Sequence, residues 1–437
     1  MMLVKSPAQR SSLIFILGLA LAAVLAVAID GGWRYQMRAG TLSLDLSDTG
    51  ALELRAPAPL TEANRAAAQR AWTYFDRYTQ DETGLVNSVG DFPSTTLWDQ
   101  GSYVFALVAA ARLGIIGPGE FDTRVDRLLN SFDQLPLFDG MLPNKAYDTR
   151  TLAMVDYENT PVPDGLGWSA LDIARMLMAF RALEKHFPDR GMRVRAVIAR
   201  WDLSAMAFEG ELWGAERIEG KIQYHQEGRI GYEQYGARAA AMWGMDVSQA
   251  ISARRALGWT DVQGIEVPMD LRRAVAFGAI TPILSEPYML LAIELGLDSE
   301  TRLLADKVFR AQQQRFSETG VLTMVSEDHI NQSPHFLYNS VFSNGTPWAV
   351  VTENGTFHPD LRTLSVKAAI AWDAIYGNDY TQLLRNQIEG IGDISRGWPA
   401  GIYEADGTVN DIYTLNTNGV VLEAIHHTVY GPLWQTR

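Results

Sequence analysis

Apolar residues recur at intervals of three and four through most of the chain beyond residue 60, and loops rich in Gly, Pro, Asp and Asn separate these runs. This spacing is typical of helices that bury one face, and it predicts about ten to twelve of them. The clearest are predicted at residues 61–78, 99–113, 121–135, 169–186, 231–242, 287–295, 301–316, 364–376, 380–388 and 417–430. Strand patterns are few, and the best are short hairpin-like segments at residues 211–224 and 320–324.

The helical pattern favours an all-α fold. A sequence repeat of fixed length, which a solenoid would show, is not visible, and the loops differ greatly in length. We therefore expect an (α/α)6 toroid, a closed ring of helical hairpins with short β-hairpins in its loops, as a single domain over residues 61–437. Residues 31–60, which end in an Ala-Pro-Ala-Pro segment, are expected to be an extended lead-in.

The first 30 residues form a separate unit. Lys5 and Arg10 precede an apolar run at residues 13–29, and small residues at 26–28 fit a cleavage site. Since the run is near the lower end of the about 17 to 25 residues that span a bilayer, a cleaved signal peptide and an N-terminal membrane anchor both stay open. Either one predicts a periplasmic or extracellular protein, held at the inner membrane in the second case.

Composition excludes several classes of function. The net charge of −14 in 437 residues argues against nucleic acid as a partner. With no cysteine, the chain has no disulfide, thiolate zinc site or cysteine nucleophile. The seven histidines are scattered, and no nucleotide-binding loop or nucleophile elbow is present, so we expect neither a metal nor a cofactor.

Several predicted helices begin with an acidic residue beside an aromatic one. Trp98 precedes Asp99, Trp168 precedes Asp172, and Glu286 precedes Tyr288. Helix capping explains each acid alone, but capping does not require the aromatic neighbour. In a ring of hairpins the inner helices start at the same end, so these side chains would meet in one pocket. Carboxylates for hydroxyl groups and aromatic faces for C–H groups suit a sugar ligand.

Cleavage of a glycosidic bond needs two carboxyl groups, one as acid and one as base or nucleophile. The segment from Gln226 to Tyr235 combines two acids, an arginine and two tyrosines with glycines that permit close approach. The candidate catalytic residues are Glu286, Glu227, Glu233 and Asp99. A helix start favours the anion of Glu286, so the acid and base roles stay unassigned.

A second group of residues is predicted to bind the substrate: Trp98, Trp168, Asp172, Arg229, Tyr232, Tyr288, Glu327, Asp328, Tyr338 and Asn418. For Arg229, a structural ion pair is the alternative. The polar and aromatic loop at residues 326–339 is either a substrate-binding lid or a surface connection.

Short sequence motifs within residues 63–434 resemble those of a family of bacterial exported or membrane-linked proteins of unknown function. Examples are Thr95-Thr96-Leu97-Trp98-Asp99, the segment 227–235 and Ser285-Glu286-Pro287-Tyr288. More distantly, these motifs and Pro143-Asn144 follow one another along the chain in an order similar to that in glycoamylase-like toroids that act on β-1,2-glucans. That resemblance implies an (α/α)6 fold and glycoside hydrolase or transglycosylase activity, with Glu286 as the first position to align.

The leading hypothesis is an extracytoplasmic, endo-acting glycoside hydrolase or transglycosylase that cleaves a bacterial β-glucan or exopolysaccharide. The alternative is a noncatalytic subunit that binds or guides a glycan for polysaccharide synthesis or secretion machinery. A third alternative, a polysaccharide lyase, would need a cluster of basic residues, to which only Arg175 and Arg229 contribute. In each case the expected partner is an oligosaccharide or polysaccharide.

Overall fold

The computed structural model describes residues 51–272 and 279–434. The predicted signal or anchor segment and the first part of the predicted lead-in lie outside these residues. Residues 51–60 form no helix or strand. Within the described ranges, no helix is both long and apolar enough to cross a membrane.

The described residues form eleven α-helices, and each of the ten predicted helices overlaps one of them. The helix that the apolar pattern missed is the short one at Gly191–Ile198. The helices are α1 (Glu62–Tyr78), α2 (Leu97–Arg112), α3 (Pro118–Phe132), α4 (Ala170–His186), α5 (Gly191–Ile198), α6 (Tyr232–Ala241), α7 (Glu286–Leu290), α8 (Ser299–Thr319), α9 (Val366–Tyr376), α10 (Asp379–Ile388) and α11 (Leu415–Tyr430). A π-helical segment, Leu291–Leu295, extends α7.

Six of the helices contact one another in cyclic order: α2, α4, α6, α7, α9, α11 and again α2. The other five pack outside this ring, each against a ring helix. Ring helices are covered on nearly all sides, and the α2 residues Tyr103 to Ala110 are all buried. A helix that is apolar all round is expected inside a protein rather than at its surface.

Short β-strands connect the helices, and the prediction of an all-α fold with short β-hairpins in its loops is confirmed only as a mainly helical fold. The strands are β1 (Ser94–Thr95), β2 (Leu137–Phe138), β3 (Leu142–Pro143), β4 (Tyr147–Asp148), β5 (Gly167–Trp168), β6 (Ala207–Phe208), β7 (Glu211–Ile218), β8 (Lys221–Gln226), β9 (Leu257–Val262), β10 (Ile265–Asp270), β11 (Glu327–His329), β12 (Phe336–Asn339), β13 (Phe342–Ser343), β14 (Thr346–Pro347), β15 (Val350–Val351), β16 (Thr363–Ser365), β17 (Pro399–Tyr403) and β18 (Val409–Tyr413). The fold is mainly helical with an appreciable strand content.

The strands form small antiparallel sheets. The predicted hairpin at 211–224 is confirmed as β7 and β8, and β5 pairs with β7 on its other side. The predicted hairpin at 320–324 is wrong, because these residues have no strand structure. The neighbouring polar segment instead forms β11, which pairs with β12, and β12 pairs with β15.

The starts of the ring helices are organised by local hydrogen bonds. The Thr96 hydroxyl accepts from the Asp99 amide at 3.2 Å, and the Ser169 hydroxyl accepts from the Asp172 amide at 3.1 Å. Both are N-caps that satisfy an otherwise unpaired helix donor. Gly231 begins α6 with φ of 99°, and a Cβ there would lie 2.7 Å from Pro287 Cγ. Only glycine fits this position, and α6 therefore packs closely against the start of α7.

Candidate functional site

Aromatic side chains line the space above the starts of α2 and α6. The rings of Trp98 and Tyr232 meet edge to face with centroids 5.5 Å apart. Both side chains are partly accessible to solvent. The Arg175 guanidinium lies over the Trp98 ring, 4.8 Å from its centroid, and fixes that ring from below. Trp98 and Tyr232 are thus placed where their faces can receive a ligand.

Glu286, at the start of α7, is completely buried and surrounded by donors. Asn416 Nδ2 donates to its Oε1 at 2.7 Å, and Ser326 Oγ donates to its Oε2 at 3.3 Å. Lys367 forms an ion pair with the same Oε2 and lies 3.4 Å from Asp328 Oδ1. No part of Glu286 is exposed, and its carboxylate oxygens are occupied by Asn416, Ser326 and Lys367. The catalytic role of Glu286 stays a prediction.

Lys367 is the cation of this cluster. Burial alone would lower the pKa of Lys367, but the carboxylates of Glu286 and Asp328 outweigh burial and hold that pKa above its ordinary value. Burial raises the pKa of Asp328 to about 6, although Lys367 opposes the shift. Lys367 therefore remains charged across the physiological pH range.

Glu327 begins β11 and stands directly opposite Tyr338 of β12, so both side chains lie on one face of the small sheet. Burial raises the pKa of Glu327 to about 8, and the nearby carboxylate of Glu286 adds to the shift. The side chain nevertheless keeps partial access to solvent. Glu327 is thus an accessible carboxyl group that carries a proton at neutral pH, as a general acid must.

A second pair of carboxyl groups shares one serine hydroxyl at the start of α4. Ser169 Oγ lies 2.6 Å from Glu227 Oε1 and 3.1 Å from Asp172 Oδ1. A serine hydroxyl has one proton to donate. Since the shorter contact places that proton towards Glu227, the longer one is a hydrogen bond only when Asp172 is protonated and donates to Ser169.

The electrostatics of Asp172 agree with this count of protons. Burial raises the pKa of Asp172 to about 7, and the Glu227 carboxylate adds to the shift. Glu227 also accepts from the Ala170 amide at 2.6 Å, so its two oxygens face two donors. Both acids are partly accessible to solvent. The pair supplies a proton on one carboxyl group and an acceptor on the other.

The two acidic groups border the same space. Burial raises the pKa of Tyr338, and the carboxylates of both Glu327 and Asp172 contribute to that shift. Burial also raises the pKa of Tyr232, and the carboxylates of Glu286 and Glu327 contribute to that shift. These interactions place Tyr338 near both Glu327 and Asp172, and Tyr232 near Glu286 and Glu327. We call the space that these side chains border the cleft. Predicted residues Asp172, Glu227, Tyr232, Glu327 and Tyr338 are thus brought together.

Asp99 lies on the α2 side of the cleft. It is almost completely buried and accepts hydrogen bonds from Ser88 at 2.5 Å and Thr96 at 3.0 Å. Burial raises the pKa of Asp99. It interacts electrostatically with Lys367 and Asp172, and its backbone amide is the donor that the Thr96 hydroxyl caps at the start of α2.

Two aromatic residues predicted as platforms are core residues instead. Trp168 is fully buried, and its indole donates to the Trp213 carbonyl at 3.0 Å. Tyr288 is fully buried as well. Neither presents a face to a ligand, so their predicted role in binding is wrong.

Two charged residues of the 226–235 segment are also used differently from the prediction. Glu233 is buried in a bidentate ion pair with Arg272, with distances of 2.8 and 2.9 Å. Arg229 donates to Gln226 Oε1 at 2.8 Å and to the Gly228 carbonyl at 2.6 Å. These contacts hold the loop before α6. Glu233 and Arg229 thus have protein partners, and the catalytic role of Glu233 and the substrate contact of Arg229 stay predictions.

The amide at the start of α11 that reaches the site is Asn416, not the predicted Asn418. Asn418 is fully buried, where it accepts from the Trp398 amide at 2.7 Å and donates to the Trp398 and Thr414 carbonyls. Asn416 and Lys367 were missed by the sequence analysis. Asn416 could have been predicted, because it belongs to the same amide-rich motif as Asn418. Lys367 had none, since a single lysine in an apolar helix reads as an exposed position.

Among residues 51–272 and 279–434, no three acidic or histidine side chains are grouped so that they could hold a metal ion. What the cleft offers chemically is a set of carboxyl groups in two protonation states, a buried cation and aromatic faces.

The chain belongs to the DUF3131 family, described as a protein of unknown function, which matches residues 66–431. The predicted resemblance to a family of unknown function is confirmed. Comparison with curated protein sequences gives no match.

Solved structures of β-1,2-glucan-active enzymes share the fold. The endo-β-1,2-glucanase of Chitinophaga pinensis, in complex with sophorotriose and glucose, is 14% identical with a TM-score of 0.58, covering 86% of this chain and 94% of that chain. The endo-β-1,2-glucanase of Talaromyces funiculosus, in complex with sophorose, is 14% identical with a TM-score of 0.57, covering 85% and 84%. The β-1,2-glucanase of Parabacteroides distasonis is 13% identical with a TM-score of 0.59, covering 86% and 58%. The distant similarity to β-1,2-glucan-active toroids, which the short motifs predicted, is confirmed as a similarity of fold.

Proposed function

We propose that the protein is an extracytoplasmic glycoside hydrolase or transglycosylase that cleaves a bacterial β-glucan or exopolysaccharide. The observation that carries the proposal is the cleft between Glu327 and the Asp172–Glu227 pair, where protonated and ionised carboxyl groups lie beside aromatic faces. The cyclic order of helix contacts supports an (α/α)6 toroid around this cleft. Export is supported by the apolar run at residues 13–29.

In the proposed reaction, Glu327 protonates the oxygen of the leaving sugar. Glu227 attacks the anomeric carbon or removes a proton from the attacking water. Asp172 and Ser169 hold Glu227 through their shared hydrogen bonds. Trp98 and Tyr232 support the sugar ring. The ion pair between Glu286 and Lys367 fixes the electrostatic environment of Glu327.

The test is turnover by the purified protein on linear and cyclic β-1,2-glucans, other β-glucans and bacterial exopolysaccharides, followed by mass spectrometry. We expect products from the wild type and a loss of at least about 100-fold in rate for Glu327→Gln and for Glu227→Gln, the size of effect typical of general acids and bases. The exposed Glu219→Gln is the matched control and should keep full activity.

The pH dependence gives a second readout. A general acid must hold its proton, so activity should fall as the pH rises through about 8, where Glu327 ionises. Binding of a glycan by the wild type without any product would instead favour the noncatalytic assembly subunit. Retained activity in Glu327→Gln would remove that residue from the mechanism.

A further inference from the structure

Tyr157, in the loop between β4 and β5, is an exposed aromatic residue beside the cleft. Its side chain is 63% accessible to solvent. The loop that carries Tyr157 ends at β5, and β5 leads directly into Ser169, whose hydroxyl contacts both Glu227 and Asp172. This loop is therefore joined to the Asp172–Glu227 pair through β5.

The same tyrosine lines a cavity of about 250 Å³, and another lining residue, Glu216, lies opposite Gly167 of β5. This volume lies below the range of about 300 to 1,000 Å³ typical of sites for drug-sized ligands. It corresponds to a single sugar ring rather than to a longer segment. The lining includes Lys145, Tyr157, Leu166, Glu216, Arg217 and Ile218.

Charged groups of both signs stand at the edge of this cavity. Lys145 and Glu216 form an ion pair, and Arg217 lies 3.8 Å from Asp139. A mixture of donors and acceptors around an aromatic ring can bind the hydroxyl groups and the face of a neutral hexose. It offers no excess of positive charge for a uronic acid.

We propose that the cavity beside Tyr157 is a distal subsite, which binds one neutral hexose unit of a polysaccharide whose cleaved bond lies at the Asp172–Glu227 pair. This inference rests on the proposed function. Tyr157 is the aromatic platform of this subsite, and only a chain long enough to reach it from the acid pair gains the contact with its ring. A subsite away from the reacting bond favours long substrates and cleavage within the chain.

The experiment measures kcat and KM for a length series of linear β-1,2-gluco-oligosaccharides and for the polymer. For Tyr157→Ala we expect KM to rise about threefold to tenfold on long chains, the size of one aromatic contact. For the shortest substrate that is cleaved, kcat/KM should stay unchanged. Tyr157→Phe keeps the ring and should behave as the wild type. Phe208→Ala, at a residue 61% exposed that does not line the cavity, is the control for removal of a surface aromatic ring.

Affinity electrophoresis in gels containing the same polymer separates the two proposals, because it does not depend on turnover. If the wild type cleaves nothing but Tyr157→Ala binds the polymer more weakly than the wild type, the proposed function fails and the subsite stands. If the wild type cleaves and Tyr157→Ala loses the same factor in kcat/KM on short and long chains, the subsite proposal is overturned. It is also overturned if Tyr157→Ala keeps the wild-type kcat/KM on both. Equal binding by both proteins, with no cleavage, overturns both.

Discussion

Lys367 is the residue on which the charge balance of the cleft depends. It is the cation that faces Glu286 and Asp328, and these two carboxyl groups are almost completely buried with it. Removal of one partner from a buried ion pair leaves a charge without compensation, which is more damaging than the loss of a surface pair. The effect should depend on pH, since a carboxyl group left alone can take up a proton.

We predict that Lys367→Met lowers the free energy of unfolding by about 3 to 5 kcal/mol at pH 8, and by less at pH 5. Burial already raises the pKa of Asp328 to about 6, and loss of the cation raises it further. A carboxyl group with a raised folded-state pKa stabilises the fold below its unfolded pKa, and that stabilisation is lost as the pH rises through the folded pKa. Urea unfolding at both pH values measures the change.

Lys221→Met provides the control for this prediction. Lys221 is an exposed lysine of β8, so its replacement should change stability by no more than about 0.5 kcal/mol at either pH. An equal loss at pH 5 and pH 8 for Lys367→Met would mean that packing, rather than charge, explains the contribution of Lys367.

The sequence predicted those site residues whose side chains project from a helix start or from the segments before it. Asp99, Asp172 and Glu227 were predicted in this way, whereas Glu327 was predicted from the polar and aromatic segment at residues 326–339. The sequence could not distinguish between two residues of one short motif, because Asn416 and Asn418 are two positions apart and point to different sides of α11. The direction of each side chain is set by packing against other helices, which a local pattern does not contain.

At the scale of elements, the helices were predictable because each has an apolar period, whereas most strands were not. β11, β13 and β16 have two or three residues each, too few for an alternating pattern. Their pairing is set by contacts far away in the chain, such as β16 with β17. The same limit applies to Trp168, which looked like a platform but lies under the β7–β8 hairpin, with the Tyr224 ring 5.8 Å away.

The start of α4 joins stability to the proposed chemistry. Glu227, from the loop before α6, accepts from the Ala170 amide, one of the helix donors without a partner inside α4. It therefore caps α4 from outside, near the positive end of the helix dipole. A residue with both roles cannot be replaced without an effect on the helix.

We predict that Glu227→Ala lowers the free energy of unfolding by about 1 to 3 kcal/mol, because it leaves the Ala170 amide without an acceptor. Glu227→Gln keeps one acceptor for the Ala170 amide, and its NH2 group can donate to Ser169 Oγ. Because the charge near the helix start is lost, the free energy of unfolding should fall by about 0.3 to 1 kcal/mol. Urea unfolding gives both values, and hydrogen exchange should show faster exchange at Ala170 in Glu227→Ala alone. Glu62→Ala, an exposed acid in the first turn of α1, is the control. Exchange unchanged at Ala170 would refute the capping role.

At the scale of the whole molecule, the centre of the ring holds a polar cluster rather than an apolar core. We define the central cluster as Ser102, Arg175, Tyr235, Glu294 and Glu423. Arg175 donates to Ser102 at 3.0 Å, Tyr235 at 2.9 Å, Glu294 at 2.6 Å and Glu423 at 3.1 Å. These residues come from α2, α4, α6, the π-helical end of α7 and α11. One side chain thus connects five of the six ring helices directly beneath Trp98.

The sequence indicated a ring of helices but not this cluster. Arg175 was considered only as one of two basic residues that could serve a polysaccharide lyase. Glu294 and Glu423 lie within apolar helix runs, where acidic residues are usually taken as exposed positions of an amphipathic helix. Burial raises the pKa of Glu423 well above its ordinary value, and Glu294 adds to the shift. The cluster therefore holds one arginine charge between two carboxyl groups that cannot both be ionised at low cost.

Arg175→Met should lower the free energy of unfolding by about 3 to 5 kcal/mol, because it leaves buried carboxyl groups without their cation and removes the link between the ring helices. The matched surface variant is Arg195→Met, where an arginine that is 71% exposed pairs with Glu184, and it should lose no more than about 1 kcal/mol. Charge and packing are separated by the triple variant Arg175→Met/Glu294→Met/Glu423→Met, since a buried ionic cluster replaced as a whole by apolar residues is often as stable as the original. Recovery of most of the loss in the triple variant, measured by urea unfolding, would assign the effect to uncompensated charge. A triple variant as unstable as Arg175→Met, with a broadened unfolding transition, would mean instead that the hydrogen bonds of Arg175 hold the ring helices in register beneath the cleft.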